Sequence, residues 1–429
     1  MLVVIDTLRA DHVGAYGYPL PTTPFLDSLA LRGVLFENAL SSSSHTAPSH
    51  ASMFTSLYPE SHGVLRNGAP LRADGVTTLA ASLRAAGYTT VLFPSVNFLS
   101  AIAPGFDHVE EWVWEGEPDY RRATATVDLA IDWLAVNGDE PALFVVVHLY
   151  DTHDHGPQST PPPNQMTRIR NAMRDNGQPL GRHLELARPT SSRKSVAMRR
   201  HLLRYDAQLA HIDAELQRFH AAFDDQRGLA DSLWIVTSDH GEGLGNHGLI
   251  GHGAHLYNEQ LRVPLIFHRP SWPEAGMRIA QLVRLIDLYP TLLELTGASG
   301  SGIQQTLEGV SVAPLLSSPE ATVPIEYVYA QRRPVDALRA ERWTPGLVIA
   351  AQSREEKYIY HATGPDEYYD LSRDPHELEN LAGQRPRQAE SLRRWLLETY
   401  ERTRAERPEG AGEVLPEHLE ELEALGYLD

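Results

Sequence analysis

Short apolar runs alternate with longer amphipathic stretches along the first three quarters of the chain. An uninterrupted apolar run predicts a strand that is buried on both faces. By this criterion we predict strands over residues 2–5, 34–39, 89–94, 142–147, 232–237 and 261–267. Helical spacing of apolar residues, with terminal glycines, predicts helices over residues 23–33, 77–87, 120–137, 199–223 and 284–296. This alternation predicts an α/β fold in which helices flank a large, mostly parallel sheet.

The pattern changes near residue 312, where shorter strands and turn residues replace the earlier alternation. Strands are predicted over residues 323–332, 347–352, 357–360 and 367–371, the last two as a hairpin, and helices over 387–404 and 417–425. We therefore predict an α/β catalytic domain over 1–312 and an α+β subdomain with an antiparallel sheet over 313–429. Residues 156–195 are rich in proline and arginine, which suggests a lid or an insertion, with a solvated loop as the alternative.

Composition narrows the classes of function. The 429 residues include no cysteine, which excludes disulfides, thiolate ligands and a cysteine nucleophile. The formal charge of −19 argues against broad binding of nucleic acid, but not against a small anionic substrate in a local pocket. No apolar window is long enough to span a membrane, and no export signal precedes the first strand. We therefore expect a cytoplasmic protein, and whether it forms a homo-oligomer stays open. Because the sequence starts inside a predicted strand, the alternative is that a few further residues precede Met1 in the natural protein.

The serine-rich stretch 41–50 leads into an apolar helical run. Ser49 is a good candidate for the N-cap, because its hydroxyl can accept a hydrogen bond from the first-turn amides. Thr46 would then lie just before the helix, where amides and the helix dipole favour an anion. A hydroxyl in that place becomes a nucleophile if a metal ion or a base lies beside it. The alternative is a serine-rich loop that caps an ordinary helix.

Polar residues with the chemistry of a metal site follow several predicted strands. In an open α/β sheet, ligands bind beyond the carboxyl ends of the strands. Carboxylates and imidazoles in glycine-rich backbone suit a divalent cation. The residues in question are Asp6 after the first strand, Asn97 after the third, His148, Asp151, His153 and His155 after the fourth, and Asp239 and His240 after the fifth, with His252 and His255 further on. For the single carboxylate Asp6, a helix cap is the alternative.

Together these segments resemble the sulfatase family within the alkaline-phosphatase-like superfamily. The similarity lies in Val4-Ile-Asp-Thr-Leu-Arg, in Thr46-Ala-Pro-Ser-His, in Ser238-Asp-His-Gly-Glu with Gly248-Leu-Ile-Gly-His-Gly, and in Asp287-Leu-Tyr-Pro-Thr and Tyr368-Tyr-Asp-Leu-Ser. The resemblance implies that Asp6, Asp239 and His240 bind metal together with Thr46, the nucleophile. It also implies that the candidate catalytic residues His153 and His252 either bind the substrate or protonate the leaving group. Substrate-binding candidates are His50, Asn67, Asn97 and His148.

The sequence departs from the sulfatase pattern at the nucleophile. Sulfatases carry a cysteine or serine that is oxidised to formylglycine, with an arginine four residues later; here Thr46 and His50 occupy those places. Threonine cannot become formylglycine by that route. Thr7 stands where many sulfatases have a second aspartate. The threonine instead resembles the phosphoryl-transfer branches, such as phosphodiesterases and phosphonate monoester hydrolases.

The leading hypothesis is hydrolysis of a phosphate or phosphonate ester, or of a sulfate ester, through Thr46 and one divalent ion of zinc, manganese, calcium or magnesium. The substrate would be a small anionic ester. A second metal ion at Asp151, His155 and His255 is a further hypothesis, because the first two residues are spaced by four. The alternative from another class is a catalytically inactive, metal-containing sulfatase-like protein that binds an anionic partner. Which histidine acts as the general acid stays open at this point.

Overall fold

A mixed sheet of eight strands forms the centre of the molecule. The computed structural model describes residues 1–71, 75–111, 120–153, 156, 159–176, 192–272, 276–298, 302–318, 320–335, 344–425 and 427. The eight strands are β1 (Leu2–Ile5), β2 (Val34–Leu40), β3 (Thr89–Phe93), β4 (His108–Val109), β5 (Leu143–Leu149), β6 (Trp234–Thr237), β9 (Arg262–His268) and β10 (Met277–Arg284). A separate ribbon joins β7 (Gly243–Leu244) to β8 (Ile250–Gly251). The spatial order in the sheet is β10-β2-β9-β6-β1-β5-β3-β4.

The sheet is mostly parallel, as the alternation predicted. Strand β9 pairs antiparallel with β2 and β6, whereas the other neighbouring strands pair in parallel. Strand β1 lies in the middle, between β5 and β6, and all four of its residues are buried. Leu2 and Val4 pack into the hydrophobic core on one face, while Val3 and Ile5 pack into the core on the other. The continuous apolar run is therefore explained by burial on both faces.

Helices cover both faces of this sheet. They are α1 (Pro24–Leu31), α2 (Thr46–Thr55), α3 (Pro59–His62), α4 (Leu79–Ala85), α5 (Ala123–Asn137), α6 (Pro163–Asp175), α7 (Ser192–Arg227), α8 (Asn258–Leu261), α9 (Leu288–Thr296), α10 (Ala313–Ser317), α11 (Pro386–Ala405) and α12 (Leu419–Ala424). Helices α2, α4 and α9 contribute to the core on one face, and α1, α5 and α7 to the core on the other. None of the helices in the described part of the chain has the length and apolar content needed to cross a membrane.

The predicted C-terminal antiparallel sheet is confirmed. Its four strands are β11 (Val328–Val335), β12 (Gly346–Gln352), β13 (Glu356–His361) and β14 (Glu367–Asp370), paired in that order. Helix α11 covers one face, where Leu392 and Leu396 pack with Ile349 and Tyr358. The other face contributes to a core that includes Leu40 at the end of β2. The division of the chain at residue 312 stays a prediction.

Two local predictions need correction. Strand β10 was not predicted, because it lies at the sheet edge beside β2 and its residues are only partly buried. The helix predicted to begin at Arg284 begins instead at Leu288, after a 3-10 turn. The Arg284 side chain pairs with Asp287 at 2.7 Å and fixes this strand-to-helix turn.

The proline- and arginine-rich segment 156–195 contains helix α6, and helix α7 starts within it. Residue Ile169 of α6 is buried against Ala207 and Ala210 of α7, so this part of the segment packs on the long helix. Residues 157–158 and 177–191 lie outside the described part of the chain. The lid function proposed for the segment stays a prediction.

Candidate functional site

Three buried side chains form an acidic cluster, which we define as Asp6, Asp239 and His240. Asp6 directly follows β1, and the other two follow β6, the neighbouring parallel strand. Because the carboxyl ends of parallel strands meet at one edge of a sheet, the three side chains converge. One ligand atom from each lies within 4.8 Å of the others, and all three residues are fully buried. In the described part of the chain, no other group of three such residues is gathered in this way.

Hydrogen bonds orient the cluster but leave carboxylate oxygens unpaired. The Asp239 Oδ1 atom accepts from the amides of Thr7 at 3.2 Å and His240 at 2.8 Å. Its Oδ2 atom, and Oδ1 of Asp6, have no hydrogen-bond partner. His240 Nδ1 lies 2.9 Å from the Gly241 carbonyl, so this nitrogen donates and Nε2 presents its lone pair toward the carboxylates. Unpaired buried oxygens and a histidine held through its other nitrogen fit a bound cation.

The charge balance of the cluster also favours a cation. Burial, and then the negative charge of Asp239, raise the pKa of Asp6 well above its usual value. Two carboxylates this close cannot both be ionised in a buried site without a compensating positive charge. A divalent ion held by Asp6, Asp239 and His240 would supply that charge.

The Thr46 side chain lies beside the acidic cluster. Thr46 is the first residue of α2, with His45 as the N-cap, and its hydroxyl lies 3.4 Å from His240 Nε2. Ser49 is not the N-cap that the sequence suggested. It lies inside the first helical turn, and its hydroxyl donates to the Asp239 carbonyl at 2.6 Å, which ties α2 to the end of β6.

A second group of side chains lies beside the acidic cluster. We call it the histidine–tyrosine cluster and define it as Tyr150, His153, His252 and Tyr427. The His252 ring lies 4.5 Å from the His240 ring and 4.8 Å from the His153 ring, measured between centroids. The His153 ring stacks on Tyr150 at 4.3 Å. The two histidines that the resemblance placed in catalysis therefore lie together, next to the residues that could hold a metal ion.

His252 is oriented by Glu242, which the sequence did not single out. In the β7–β8 ribbon Gly243 pairs with Gly251, so the flanking residues Glu242 and His252 face each other. The Glu242 Oε2 atom lies 3.2 Å from His252 Nδ1, and both side chains are buried. A carboxylate accepts only, so Nδ1 of His252 carries a proton and Nε2 faces the site.

The loop that carries His252 also packs closely on α2. Gly253 has a φ angle of +83°, and a Cβ atom there would lie 2.4 Å from the His45 ring. Only glycine fits that contact, because any side chain would clash with His45, the N-cap of α2. The position of His252 relative to Thr46 is thus fixed by backbone packing.

Two further histidines, His50 and His148, lie next to the acidic cluster. His50 Nδ1 donates to the Thr46 carbonyl at 2.9 Å, and His148 Nε2 lies 3.3 Å from Asp6 Oδ2. Burial lowers the pKa of each imidazole to about 4, so both are neutral near pH 7. His50 therefore does not supply the positive charge of the arginine that the resemblance places there.

The two asparagines have different surroundings. Asn67 is buried, its Oδ1 atom accepts from the Ala47 amide at 2.9 Å, and its Nδ2 atom has no partner. Its amide group is therefore next to the start of α2. Asn97 begins a 3-10 helix (Asn97–Ile102), and its backbone amide donates to Glu421 at 2.8 Å. The Asn67 Nδ2 atom is therefore an available donor beside Thr46 at the start of α2.

The structure describes two of the three residues suggested for a second metal ion, Asp151 and His255. Asp151 Oδ2 accepts from the Ala123 amide at the start of α5. His255 stacks on Tyr257, with a centroid separation of 5.6 Å. His155 lies outside the described residues. The second ion stays a prediction.

Tyr427 was also missed by the sequence reasoning. Its hydroxyl lies 2.8 Å from His153 Nε2, 3.3 Å from His252 Nε2 and 3.1 Å from the Tyr150 hydroxyl. Burial raises the pKa of Tyr427 well above its usual value. No motif could have indicated this contact, because Tyr427 lies 175 positions from His252.

Comparisons with known proteins agree with this architecture. The family model described as Sulfatase matches residues 1–298, and a model for the C-terminal region of N-sulphoglucosamine sulphohydrolase matches residues 245–406. The chain belongs to the sulfatase family. Membership makes it a hydrolase that acts on ester bonds, and the resemblance inferred from the motifs is confirmed.

Three relatives of this sulfatase-family chain are distant in sequence but are matched over most of their length. An arylsulfatase of Clostridium perfringens is 22% identical, and the match covers 89% of each chain. The crystal structure of a phosphonate monoester hydrolase of Agrobacterium radiobacter gives a TM-score of 0.72 at 23% identity and covers 95% of each chain. A putative sulfatase from Bacteroides fragilis gives a TM-score of 0.79 at 20% identity, covering 94% of this chain and 95% of that one. At these identities the likeness of the structures establishes the fold.

Proposed function

We propose that this sulfatase-family protein hydrolyses small phosphate or phosphonate esters with Thr46 as the nucleophile, and sulfate esters as a second substrate class. The observation that carries the proposal is the position of the Thr46 hydroxyl. It lies at the start of α2 and 3.4 Å from His240 Nε2, beside the unpaired carboxylate oxygens of Asp6 and Asp239. A hydroxyl in that place can attack a phosphorus or sulfur atom in line with its leaving group.

The acidic cluster would hold one divalent cation, with Asp6, Asp239 and His240 as ligands. When bound, the cation would supply positive charge that stabilises negative charge on the oxygens beside it. Zinc, manganese, calcium and magnesium are the candidates. The Asn67 Nδ2 atom, which has no partner, would donate to a substrate oxygen near the helix start.

His252 and His153 would move protons during the reaction. The Thr46 hydroxyl gives its proton to water, a loss that a cation held by the acidic cluster would favour. Its oxygen forms a bond to the phosphorus or sulfur atom while the bond to the leaving oxygen breaks, and that leaving oxygen takes a proton from His252. Glu242 supports this role of His252, because a carboxylate on Nδ1 stabilises the protonated ring. Water then opens the covalent ester of Thr46, and an imidazole takes the proton from the water.

The choice of phosphoryl over sulfuryl transfer rests on the nucleophile. An oxidised formylglycine can release sulfate by elimination, whereas a threonine ester has to be opened by water. That second step is the ordinary one in phosphoryl transfer through a hydroxyl. The fold likeness to a phosphonate monoester hydrolase is compatible with this choice. The arylsulfatase match keeps sulfate esters as the second class.

The test is a substrate panel on the wild type and on Thr46→Ala. We expect turnover of at least one among p-nitrophenyl phosphate, bis-p-nitrophenyl phosphate, p-nitrophenyl phenylphosphonate and p-nitrophenyl sulfate, with zinc, manganese, calcium or magnesium added. Thr46→Ala should lower kcat by at least about 10⁴-fold, because loss of a nucleophile removes the covalent route. Thr46→Ser should keep measurable activity.

Thr55→Ala is the matched control. Thr55 lies in the same helix and is buried, but its hydroxyl donates to the Ala51 carbonyl and not to the site. An active Thr46→Ala enzyme would overturn the assignment of the nucleophile. A wild type that binds phosphate or vanadate but hydrolyses none of the esters would favour the inactive binding protein.

A further inference from the structure

The C-terminal end of the chain returns to the active site. We define the C-terminal strap as residues 412–425 together with Tyr427. It leaves the region of the small sheet and crosses the loop that follows α3, where Gly412 donates to the Gly63 carbonyl at 2.9 Å and Leu415 to the Gly68 carbonyl at 3.0 Å. It then packs on the 3-10 helix Asn97–Ile102.

Buried side chains hold the strap at several points along its length. The Leu422 side chain is fully buried, and a Cβ atom on Gly68 would lie 2.6 Å from it. Glu421 accepts the Asn97 amide at 2.8 Å, and His418 hydrogen-bonds to Ser100 at 2.9 Å. Such contacts indicate that the strap is packed against the rest of the fold and is not a loosely attached tail.

The strap ends with a polar group among the histidines of the site. The Tyr427 amide donates to the Leu422 carbonyl at 2.8 Å, which turns the chain, and the ring packs edge-on against Phe98 with a centroid separation of 5.7 Å. These contacts direct the hydroxyl toward His153, His252 and Tyr150.

We propose that Tyr427 is a positioning residue of the hydrolytic site, whose hydroxyl joins the His153 and His252 rings and fixes their orientation. The inference rests on the proposed function for its catalytic meaning. His252 is then held at both ring nitrogens, by Glu242 at Nδ1 and by Tyr427 at Nε2. His153 is held by its face on Tyr150 and by Tyr427 at Nε2.

This arrangement limits the combinations of donor and acceptor in the site. A phenol hydroxyl carries one proton and accepts through its lone pairs, so it can donate to one imidazole while it accepts from the other. When the Tyr150 hydroxyl donates to Tyr427, the geometry pairs one donating ring with one accepting ring next to Thr46. Proton transfer to a leaving group and from water needs such a pair, held in place before the substrate arrives.

Tyr427→Phe tests the inference, because it removes the hydroxyl and keeps the ring that packs on Phe98. We expect kcat to fall about tenfold or more, with KM changed by less than about threefold, since orientation and not substrate binding is lost. The loss should be larger for esters with poor leaving groups. The melting temperature should stay near that of the wild type.

A second readout does not depend on turnover. In protein labelled with ¹⁵N-histidine, the Nε2 signals of His153 and His252 should both shift in Tyr427→Phe, and the signal of His62 should not. Tyr360→Phe is the matched control: Tyr360 lies in β13 of the small sheet, under the Arg393 side chain. It should change neither the kinetics nor these signals.

The outcomes separate this inference from the proposed function. Unchanged histidine signals and unchanged kcat would overturn the role of Tyr427, even if the enzyme is active. A rise in activity in Tyr427→Phe would also overturn it, because the hydroxyl would then block the site. If the wild type hydrolyses no ester, the proposed function fails, while the histidine signals still decide whether Tyr427 positions the two rings.

Discussion

The acidic cluster and the histidine–tyrosine cluster lie side by side but are built in different ways. The acidic cluster comes from residues directly after β1 and β6, two neighbouring strands in the middle of the sheet. The histidine–tyrosine cluster comes from a 3-10 turn, a loop after a short ribbon and the end of the chain. One is fixed by the register of a buried sheet, the other by packing between loops.

The way in which each cluster is held in place matches the chemistry proposed for it. Binding a metal ion would need ligand atoms at fixed distances. The parallel pairing of β1 with β6 brings the three residues together, and hydrogen bonds to backbone groups orient Asp239 and His240. Proton transfer needs rings whose nitrogens point the right way, and here each ring is aimed by a partner such as Glu242 or Tyr427. Substitutions in the acidic cluster should therefore lower metal binding, whereas substitutions in the histidine–tyrosine cluster should slow proton transfer and leave metal binding unchanged.

The largest losses of bound metal and of kcat are expected for a substitution in the acidic cluster. Asp239→Asn should reduce bound metal below one equivalent and lower kcat by about 10⁴-fold or more, because a ligand charge is lost at the ion and beside Thr46. Metal content by plasma emission and steady-state kinetics on the same samples measure both. Asp213→Asn is the control, since this buried carboxylate only accepts the amides of Phe25 and Leu26 at the start of α1. Full metal content in Asp239→Asn would contradict the ligand assignment.

A smaller, selective effect is expected in the histidine–tyrosine cluster. His252→Gln should leave metal content unchanged and lower kcat by about 10²- to 10⁴-fold for poor leaving groups, with a smaller loss for p-nitrophenol esters. Glu242→Gln should act in the same direction by about tenfold, since it only supports His252. The control is His108→Gln, because His108 also pairs with a glutamate, Glu110, but at the sheet edge. Equal losses of kcat for esters with good and with poor leaving groups would contradict the proposed role of His252 in proton transfer.

The smallest effect on catalysis is expected at His62, a buried imidazole outside both clusters. Its Nδ1 atom accepts the Val64 amide at 3.1 Å, and Nε2 lies 3.0 Å from the Ser52 hydroxyl. Burial lowers the pKa of His62 to about 3 from 6.5, so the unfolded chain binds the proton more readily below pH 6.5. The stability of the wild type should therefore decline as the pH falls.

His62→Gln should keep kcat within about twofold and remove about 2 kcal/mol of the stability difference between pH 8 and pH 5. Urea titrations of both proteins at the two pH values measure this. An identical pH dependence in the variant would show that His62 titrates normally. A large loss of kcat would mean that His62 acts on the site, and the separation of structural from functional histidines would have to be revised.

Particular residues show how far sequence reasoning reached. Asp6, Asp239 and Thr46 were found because each follows a buried apolar run or begins a helix, and those signals are local. Ser49 was placed wrongly as the N-cap, since a serine before an apolar run fits that role equally well. Its true partner, the Asp239 carbonyl, is remote in sequence. Strand β10 was missed because an edge strand with partly buried residues lacks the continuous apolar pattern.

The sequence by itself determined the α/β sheet, the antiparallel C-terminal sheet and the segments that carry the acidic cluster. These follow from the periodicity of burial and from the rule that ligands gather at the carboxyl ends of strands. Only the tertiary structure decided that Glu242 orients His252 and that Tyr427 reaches the active site. Such contacts join residues with no local signal, because they depend on how loops and the chain end pack on a finished sheet.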